Sequence, residues 1–354
     1  MTIIFAILIF SFLIFIHEFG HFIAAKLSGV QVNEFSMFMG PAIVKWKRGE
    51  TQYSIRCIPI GGYCAMEGEN EDTDNPRSFQ KAAWWKRLII LVAGSFMNLV
   101  AGVLIMLMIY LPTQYIINPT IESFQPYSTV NGEGGLQVGD TIWMVDGERV
   151  YVQSDFSLIT TLNSGEVHDL VVIRDGKKVE LNDFAMQRHE VTDEYGNTDM
   201  LYGFKFTLNE APTFGQKLAY GWANAVDSVR NVRLSLQMLV SGNVGFQDVG
   251  GPVMIVDQMN QVANASPSTI DALLNMLYFA GFIAINLAIM NMLPIPALDG
   301  GRVFFLLITV AFEAIFKKKV DPKYEGYIHG IGMILLLLLM AVILFKDVFT
   351  IFTR

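Results

Sequence analysis

His17-Glu18-Phe19-Gly20-His21 has the spacing to do metal chemistry. On a helix, residues four apart share a face. Two imidazoles can therefore reach one ion, with nitrogen–metal distances of about 2.0–2.1 Å. Glu18 stands beside them and can take a proton from water activated at that ion, the arrangement of metal-assisted hydrolysis. The pentapeptide lies inside an apolar stretch, Ile3 to Ala25. Ionisable groups are costly there and are kept where they serve a function. A structural cluster that merely satisfies itself is the competing reading.

A catalytic zinc site takes three protein ligands and leaves a fourth position open. The motif supplies two, so the third is a His, Asp or Glu of a distant segment. Asp299, Glu313, Glu325 and His329 are candidates, and Asp299 is the best placed. It follows Pro294-Ile295-Pro296-Ala297-Leu298 and precedes Gly300-Gly301. The prolines break a helix locally and the glycines permit close approach. Irregular backbone at membrane depth survives only where it lines a cavity or is packed in protein.

The elements that must position these groups are membrane helices. The chain of 354 residues is 52% hydrophobic and 16% charged, against about 25% charged for a soluble domain. Its mean hydropathy is +0.40. Four stretches approach the length of a spanning helix: Ile3–Ala25, Leu88–Leu111, Ala272–Met292 and Tyr327–Phe345. The first has no basic leader and no small-residue cleavage pattern, so it is expected to be a span rather than a signal peptide. Lys and Arg crowd the loop between spans one and two, from Lys26 to Arg87, and the loop between three and four, from Arg302 to Lys323. Both loops are expected to be cytoplasmic, with the termini and the segment from about Pro112 to Ser268 outside. A net charge of -8 and the lack of a basic stripe argue against a nucleic-acid partner. Cys57 and Cys64 are expected to be packing residues on the cytoplasmic side, without a disulfide.

Within the outer segment, Thr141–Val145 ends at Asp146-Gly147, and Asp169–Arg174 turns through Asp175-Gly176 into Lys178–Leu181. Asp-Gly between such runs is a strong hairpin signal. Phe214–Val240 is amphipathic and is expected to lie along the membrane surface or on the domain. Gly49–Ile60 partly alternates and is closed by Gly61-Gly62, which suggests a hairpin at about residues 40–62, re-entrant or interfacial, or else an ordinary cytoplasmic one. The expected organisation has four parts. They are an N-terminal membrane part over 1–111, an outer domain over 112–210, a connecting segment over 211–268 and a C-terminal membrane part over 269–354.

HEFGH in the first span, paired with NMLPIPALDGGRVFF after the third, resembles the site-2 protease family in its bacterial RseP/RasP-like branch. The likeness extends through GETQYSIRCIPIGGY, WWKRLIILVAGSFMN and VGGPVMI. GLQVGDTIWMVDGERV resembles the core of a PDZ domain. The resemblance implies a polytopic α-helical membrane protein of the bacterial inner membrane, with a re-entrant β-hairpin and an extracytoplasmic PDZ-like α/β domain. It implies that His17, His21 and Asp299 bind one Zn2+ and that Glu18 is the catalytic base. It implies that Asn291, and by a looser likeness Asn286, help hold the substrate backbone. The substrates implied are single-span membrane proteins such as anti-sigma factors or remnant signal peptides, with a peptide or protein tail at the PDZ-like domain. Three departures stand out. Phe38-Met39-Gly40 replaces a Gly-x-Gly of many relatives, Ala93-Gly94-Ser95 replaces Ala-Gly-Pro, and there is room for only one PDZ-like domain where some relatives carry two. A non-catalytic membrane PDZ scaffold and a polytopic zinc protease for soluble or lipidated peptides are the alternatives. The first should have lost a ligand or Glu18, and all four are present.

Overall fold

The computed structural model of the chain describes residues 2–69, 73–131, 134–163, 165–192, 198–242, 245, 250–318 and 321–353. Among them, four helices are long and apolar enough to cross a membrane: α1 (Thr2–Ser28), α2 (Trp84–Tyr110), α6 (Thr269–Asn291), and Lys323–Thr350 within α8 (Pro322–Thr353). The chain is a polytopic membrane protein. The spans start earlier than the apolar runs suggested. Trp84, Trp85, Lys86 and Arg87 form the first turn of α2, which is the aromatic and basic composition suited to a helix end at an interface. α8 leaves Ile331, Ile334, Leu335, Leu337 and Leu338 exposed, a pattern tolerable only in lipid.

The chain divides into two compact units. The first comprises Met1–Ile105 and Asn231–Arg354. In it, α1 ends where Gly29 takes φ +82° and lets Val30 N–H reach back to Ala25 O at 2.9 Å. A hairpin follows, β1 (Val32–Arg48) antiparallel to β2 (Thr51–Met66), turning at Gly49-Glu50. It is longer than the expected 40–62. Pro41 and the Gly61-Gly62 pair depress strand propensity, and register shifts between Met39 and Val44 break the alternation that sequence patterning relies on. Ser36, Glu34, Ser54 and Arg56 tie the strands together, with Arg56 bonding Ser36 Oγ at 3.0 Å, Gly40 O at 2.7 Å and Glu34 at 2.7 Å. Burial raises the Glu34 carboxyl, but hydrogen bonds from Ser54 and Arg56 outweigh it and hold the pKa at about 2. Phe38 has φ +71° and Gly40 has φ +84°. The backbone is left-handed at both places, and Phe38 adopts it at a cost of about 1–2 kcal/mol.

One apolar core of this unit joins Ala24, Ala25, Val32, Phe35, Met66, Ile90, Leu91 and Leu306. A second joins Ala6, Ile9 and Leu13 of α1 to Ala280, Ile283 and Ala284 of α6 and to Met259 of α5 (Pro252–Ala265). A further helix, α7 (Asp299–Phe316), stands where a loop between spans three and four was expected. Its apolar run is diluted by Asp299, Arg302 and Glu313, which hides it from a search for spans.

The second unit comprises Met106–Arg230. It is built on a sheet whose strands run in the order β10 (Phe204–Asn209), β3 (Ile116–Phe124), β4 (Thr141–Val145), β6 (Val167–Arg174) and β7 (Lys177–Ala185), with β5 (Glu148–Arg149) also paired to β4. α3 (Gln153–Leu162) covers it, burying Phe156 and Ile159 against Ile121, Ile142, Leu170 and Val172. Asp146, Gly147, Asp175 and Gly176 all have positive φ, as the expected two-residue turns require. β8 (His189–Thr192) and β9 (Thr198–Leu201) form a separate pair. α4 (Phe214–Ser241) stands where the amphipathic stretch Phe214–Val240 was expected, and the connecting segment also contributes α5.

Candidate metal centre

The site begins with two helices that touch backbone to backbone. A Cβ on Gly20 of α1 would lie 2.4 Å from Ala93 O of α2, and one on Gly94 would lie 2.3 Å from His21 Nε2 and 2.9 Å from His17 Cε1. Only glycine at 94 leaves room for both imidazoles. Small residues at such crossings are the usual means of close helix approach in membranes. His21 is 7% exposed and its Nδ1 lies 2.8 Å from Ile90 O. The carbonyl can only accept, so Nδ1 carries the proton and Nε2 presents a lone pair. That is the usual orientation of a metal-binding histidine held from behind. Asn98 is buried beside His17, its Nδ2 3.4 Å from His17 Nδ1 and its Oδ1 without a hydrogen-bond partner among the described residues. Turning the amide would offer Oδ1 to a proton on His17 Nδ1 and leave His17 Nε2 free as well.

Asp299 arrives as the first residue of α7 through a tight bend. Met292, Leu293, Ile295 and Leu298 are joined in short backbone turns, with Ile295 N–H to Leu293 O at 2.7 Å. A Cβ on Gly300 would lie 2.2 Å from Met292 O, and one on Gly301 2.2 Å from Ile295 O. Ala297 has φ +81°, a left-handed conformation that costs an L-residue about 1–2 kcal/mol. Its N–H donates to His329 Nδ1 at 3.0 Å. Arg302, one turn beyond Asp299, pairs with Glu69 just past the hairpin.

His17, His21 and Asp299 come together. His17 Nε2 and His21 Nε2 are 3.2 Å apart, and they lie 3.1 Å and 3.3 Å from Asp299 Oδ2. A tetrahedral ion with bonds of about 2.0–2.1 Å spaces its donors by about 3.3–3.4 Å. Apart from the two histidine nitrogens, Asp299 Oδ2 is buried without a hydrogen-bond partner among the described residues. The three donors and the orphaned oxygen fit a zinc ion. They form one face of a tetrahedron and leave its fourth corner open. Among the described residues this is the group of His, Cys, Asp and Glu with metal-binding geometry. Glu325 and His329 are not part of it. His329 Nδ1 is taken by Ala297, and its Nε2 is 4.0 Å from Glu325 Oε1. Glu18 stays outside the donor triangle, with its Cγ 3.2 Å from where a Cβ on Gly62 would be.

The family model for Peptidase family M50 matches residues 5–339. The chain belongs to that family. It is 37% identical over 349 residues to a protein of Clostridium acetobutylicum provisionally named a zinc metalloprotease, a match covering 98% of this chain and 97% of that one. It is 34% identical over 350 residues to a similarly named protein of Clostridium perfringens, with 98% of each covered. It is 29% identical over 434 aligned residues to the regulator of sigma-W protease RasP of Bacillus subtilis, again over 98% of each. This M50 peptidase is a membrane-embedded zinc metalloprotease, and zinc is its cofactor.

Asn291 closes α6 directly before the bend, and Asn286 lies five residues back on the same helix. At 3.6 residues per turn those positions are about 140° apart, so the two side chains leave α6 on different faces. Sequence patterning did not single out Ile90 O, Asn98 or the load on Gly94. A carbonyl has no signature, and Asn98 sits in an apolar run whose period says nothing of which face meets α1.

Proposed function

We propose that His17, His21 and Asp299 hold the zinc ion, that Glu18 is the general base, and that the protein hydrolyses peptide bonds in or beside the transmembrane segments of single-span membrane proteins. The observation that carries the assignment is the triangle of donor atoms 3.1–3.3 Å on a side around a buried, unpartnered carboxylate oxygen. Bound zinc supplies Lewis acidity, making water a nucleophile near neutral pH and polarising a carbonyl. Ile90 O holds the His21 ring in register, and the α1–α2 crossing at Gly20 and Gly94 fixes both rings. Glu18 takes the proton of the attacking water and delivers it to the leaving amine. A peptide bond inside a helix is a poor target, so the substrate must unwind first.

The hairpin β1–β2, with Gly62 against Glu18, is placed to offer an edge strand to that unwound segment, and Asn291, with Asn286 in a lesser role, helps to hold it. We read the hairpin as re-entrant. Ile43, Val44, Trp46 and Ile58 expose an apolar surface that suits a membrane. The Asp-Gly hairpins of the α/β unit support reading it as a PDZ-like domain, and an outer location for it and for the termini follows from the Lys- and Arg-rich loops. That puts the metal towards the cytoplasmic side. A relative named regulator of sigma-W protease supports an anti-sigma factor as one substrate. Domain limits near residues 111, 210 and 268 follow the element boundaries at Tyr110, Asn209 and Ser268.

The test is a pair of variants assayed on a single-span reporter in vesicles. Glu18→Gln should keep zinc and lose cleavage, while Asp299→Ala should lose both. Cleavage by Glu18→Gln, or full zinc in Asp299→Ala, would refute the assignment.

A further inference from the structure

Asp299 depends on the backbone that precedes it, and that backbone is strained at Ala297, where φ is +81°. A residue held in the left-handed region persists only when its surroundings over-determine it. The surroundings here come from α8. Its Gly332 packs so tightly that a Cβ would lie 2.4 Å from Pro296 Cβ. One turn earlier, His329 Nδ1 accepts the Ala297 N–H at 3.0 Å, and Phe305 of α7 stands edge-on to the ring at 5.5 Å. His329 is 9% exposed. A backbone N–H can only donate, so Nδ1 must offer its lone pair and the proton must sit on Nε2. Nε2 has no hydrogen-bond partner among the described residues, with Glu325 Oε1 at 4.0 Å. The ring's one hydrogen bond among the described residues therefore goes to the strained amide, two residues ahead of Asp299.

We propose that His329 is a positioning residue for the metal site, holding the left-handed turn at Ala297 so that Asp299 Oδ2 reaches both histidines. The idea rests on Asp299 being a zinc ligand. Because α8 is otherwise largely exposed, this hydrogen bond, beside the Gly332–Pro296 packing, ties the last span to the bend that carries Asp299. Residues that orient metal ligands lower affinity or activity by about 10–100-fold when removed, and that is the loss expected here.

The test uses the full chain in detergent, with zinc release to excess chelator and steady-state cleavage as readouts. His329→Leu removes the acceptor and should speed zinc release by about 10–100-fold. It should lower kcat with little change in KM. His329→Asn sets an amide oxygen the same number of bonds from Cβ as Nδ1 and should stay near the parent, whereas His329→Gln, one bond longer, should not. Ala297→Gly relaxes the turn and, combined with His329→Leu, should recover most zinc retention. A purely structural role would not be rescued at residue 297. If His329→Leu fails to accumulate, the Asn and Gln pair decides. Equal zinc release by both, or parental release by His329→Leu, overturns the proposal. Asp299→Ala is assayed alongside. If it retains zinc, the ligand assignment fails; if it loses zinc while His329→Leu does not, only the positioning role fails.

Discussion

Replacing Gly94 by alanine would place a methyl carbon 2.3 Å from His21 Nε2, 2.8 Å from His21 Cε1 and 2.9 Å from His17 Cε1. Ordinary contact lies near about 3.5 Å, so the ring and the helix must separate by roughly 1 Å. His21 cannot rotate freely to escape, because Nδ1 is tied to Ile90 O at 2.8 Å. Metal–ligand distances tolerate about 0.2 Å, a fifth of that displacement. Overpacking costs about 1–3 kcal/mol, while alanine gains back about 1 kcal/mol in helix propensity over glycine. The variant should therefore insert and fold, yet bind zinc at least about tenfold more weakly. Metal analysis of the protein in detergent and cleavage of a single-span reporter check this together. Gly330→Ala is the control, since nothing lies within 4 Å of a Cβ at that position. Stoichiometric zinc with full cleavage in Gly94→Ala would refute the packing argument and the site built on it.

Gly300→Ala and Gly301→Ala drive a methyl to within 2.2 Å of backbone carbonyl groups in the bend, so both should lose zinc, with melting temperature and metal content measured on the same preparation. Strong chelators should abolish cleavage, and added zinc should restore it; activity that survives complete zinc removal would contradict the metal-assisted reaction. In the α/β unit, Arg230 bonds Asp155 at 2.6 Å and pairs with Asp227. Burial, then Asp155 beside it, raises the Asp227 carboxyl to about 7 against the pull of Arg230. A raised carboxyl favours the folded state fully below its unfolded value of 3.8, and that contribution is lost as pH rises towards about 7. Amide exchange in α3, corrected for intrinsic rate, should be less protected at pH 8 than at pH 5, and Asp227→Asn should remove the difference.

The spans were legible because hydrocarbon demands a composition that soluble protein avoids, and His17, Glu18 and His21 were legible because they violate it. Asp299 stood out among four candidates from the prolines before it and the glycines after it, and it is the one of the four that lies beside His17 and His21. The structure bears out why those glycines stand there, since both press against the backbone of the bend. What patterning missed has physical reasons. α7 begins at Asp299 itself, and three charged residues in 18 disguise an apolar helix as a loop. β1 is bulged around Gly40-Pro41, so its side chains lose the two-residue period. His329 was plausible as a ligand by residue type. Only the fold reveals that its lone pair is already committed to Ala297.

The same packing logic predicts a site intolerant of small changes. Helices in lipid gain no hydrophobic drive from meeting one another, so they hold position by close backbone contact at small residues. Here the contacts fall around His17, His21 and Asp299. Gly20 and Gly94 set the α1–α2 crossing under the imidazoles, Gly62 sets the hairpin against Glu18, Gly300 and Gly301 set the turn into α7, and Gly332 seats α8 on Pro296. In a soluble metalloprotein the outer shell is chiefly a set of hydrogen bonds, and losing one can be compensated by water. Water cannot substitute for a missing backbone contact between two helices. Added side chains at these glycines should therefore disable the metal before they unfold the chain, while the lipid-facing leucines of α8 should tolerate most apolar replacements. A scan in which zinc content fell in step with stability at both classes of position would contradict that division.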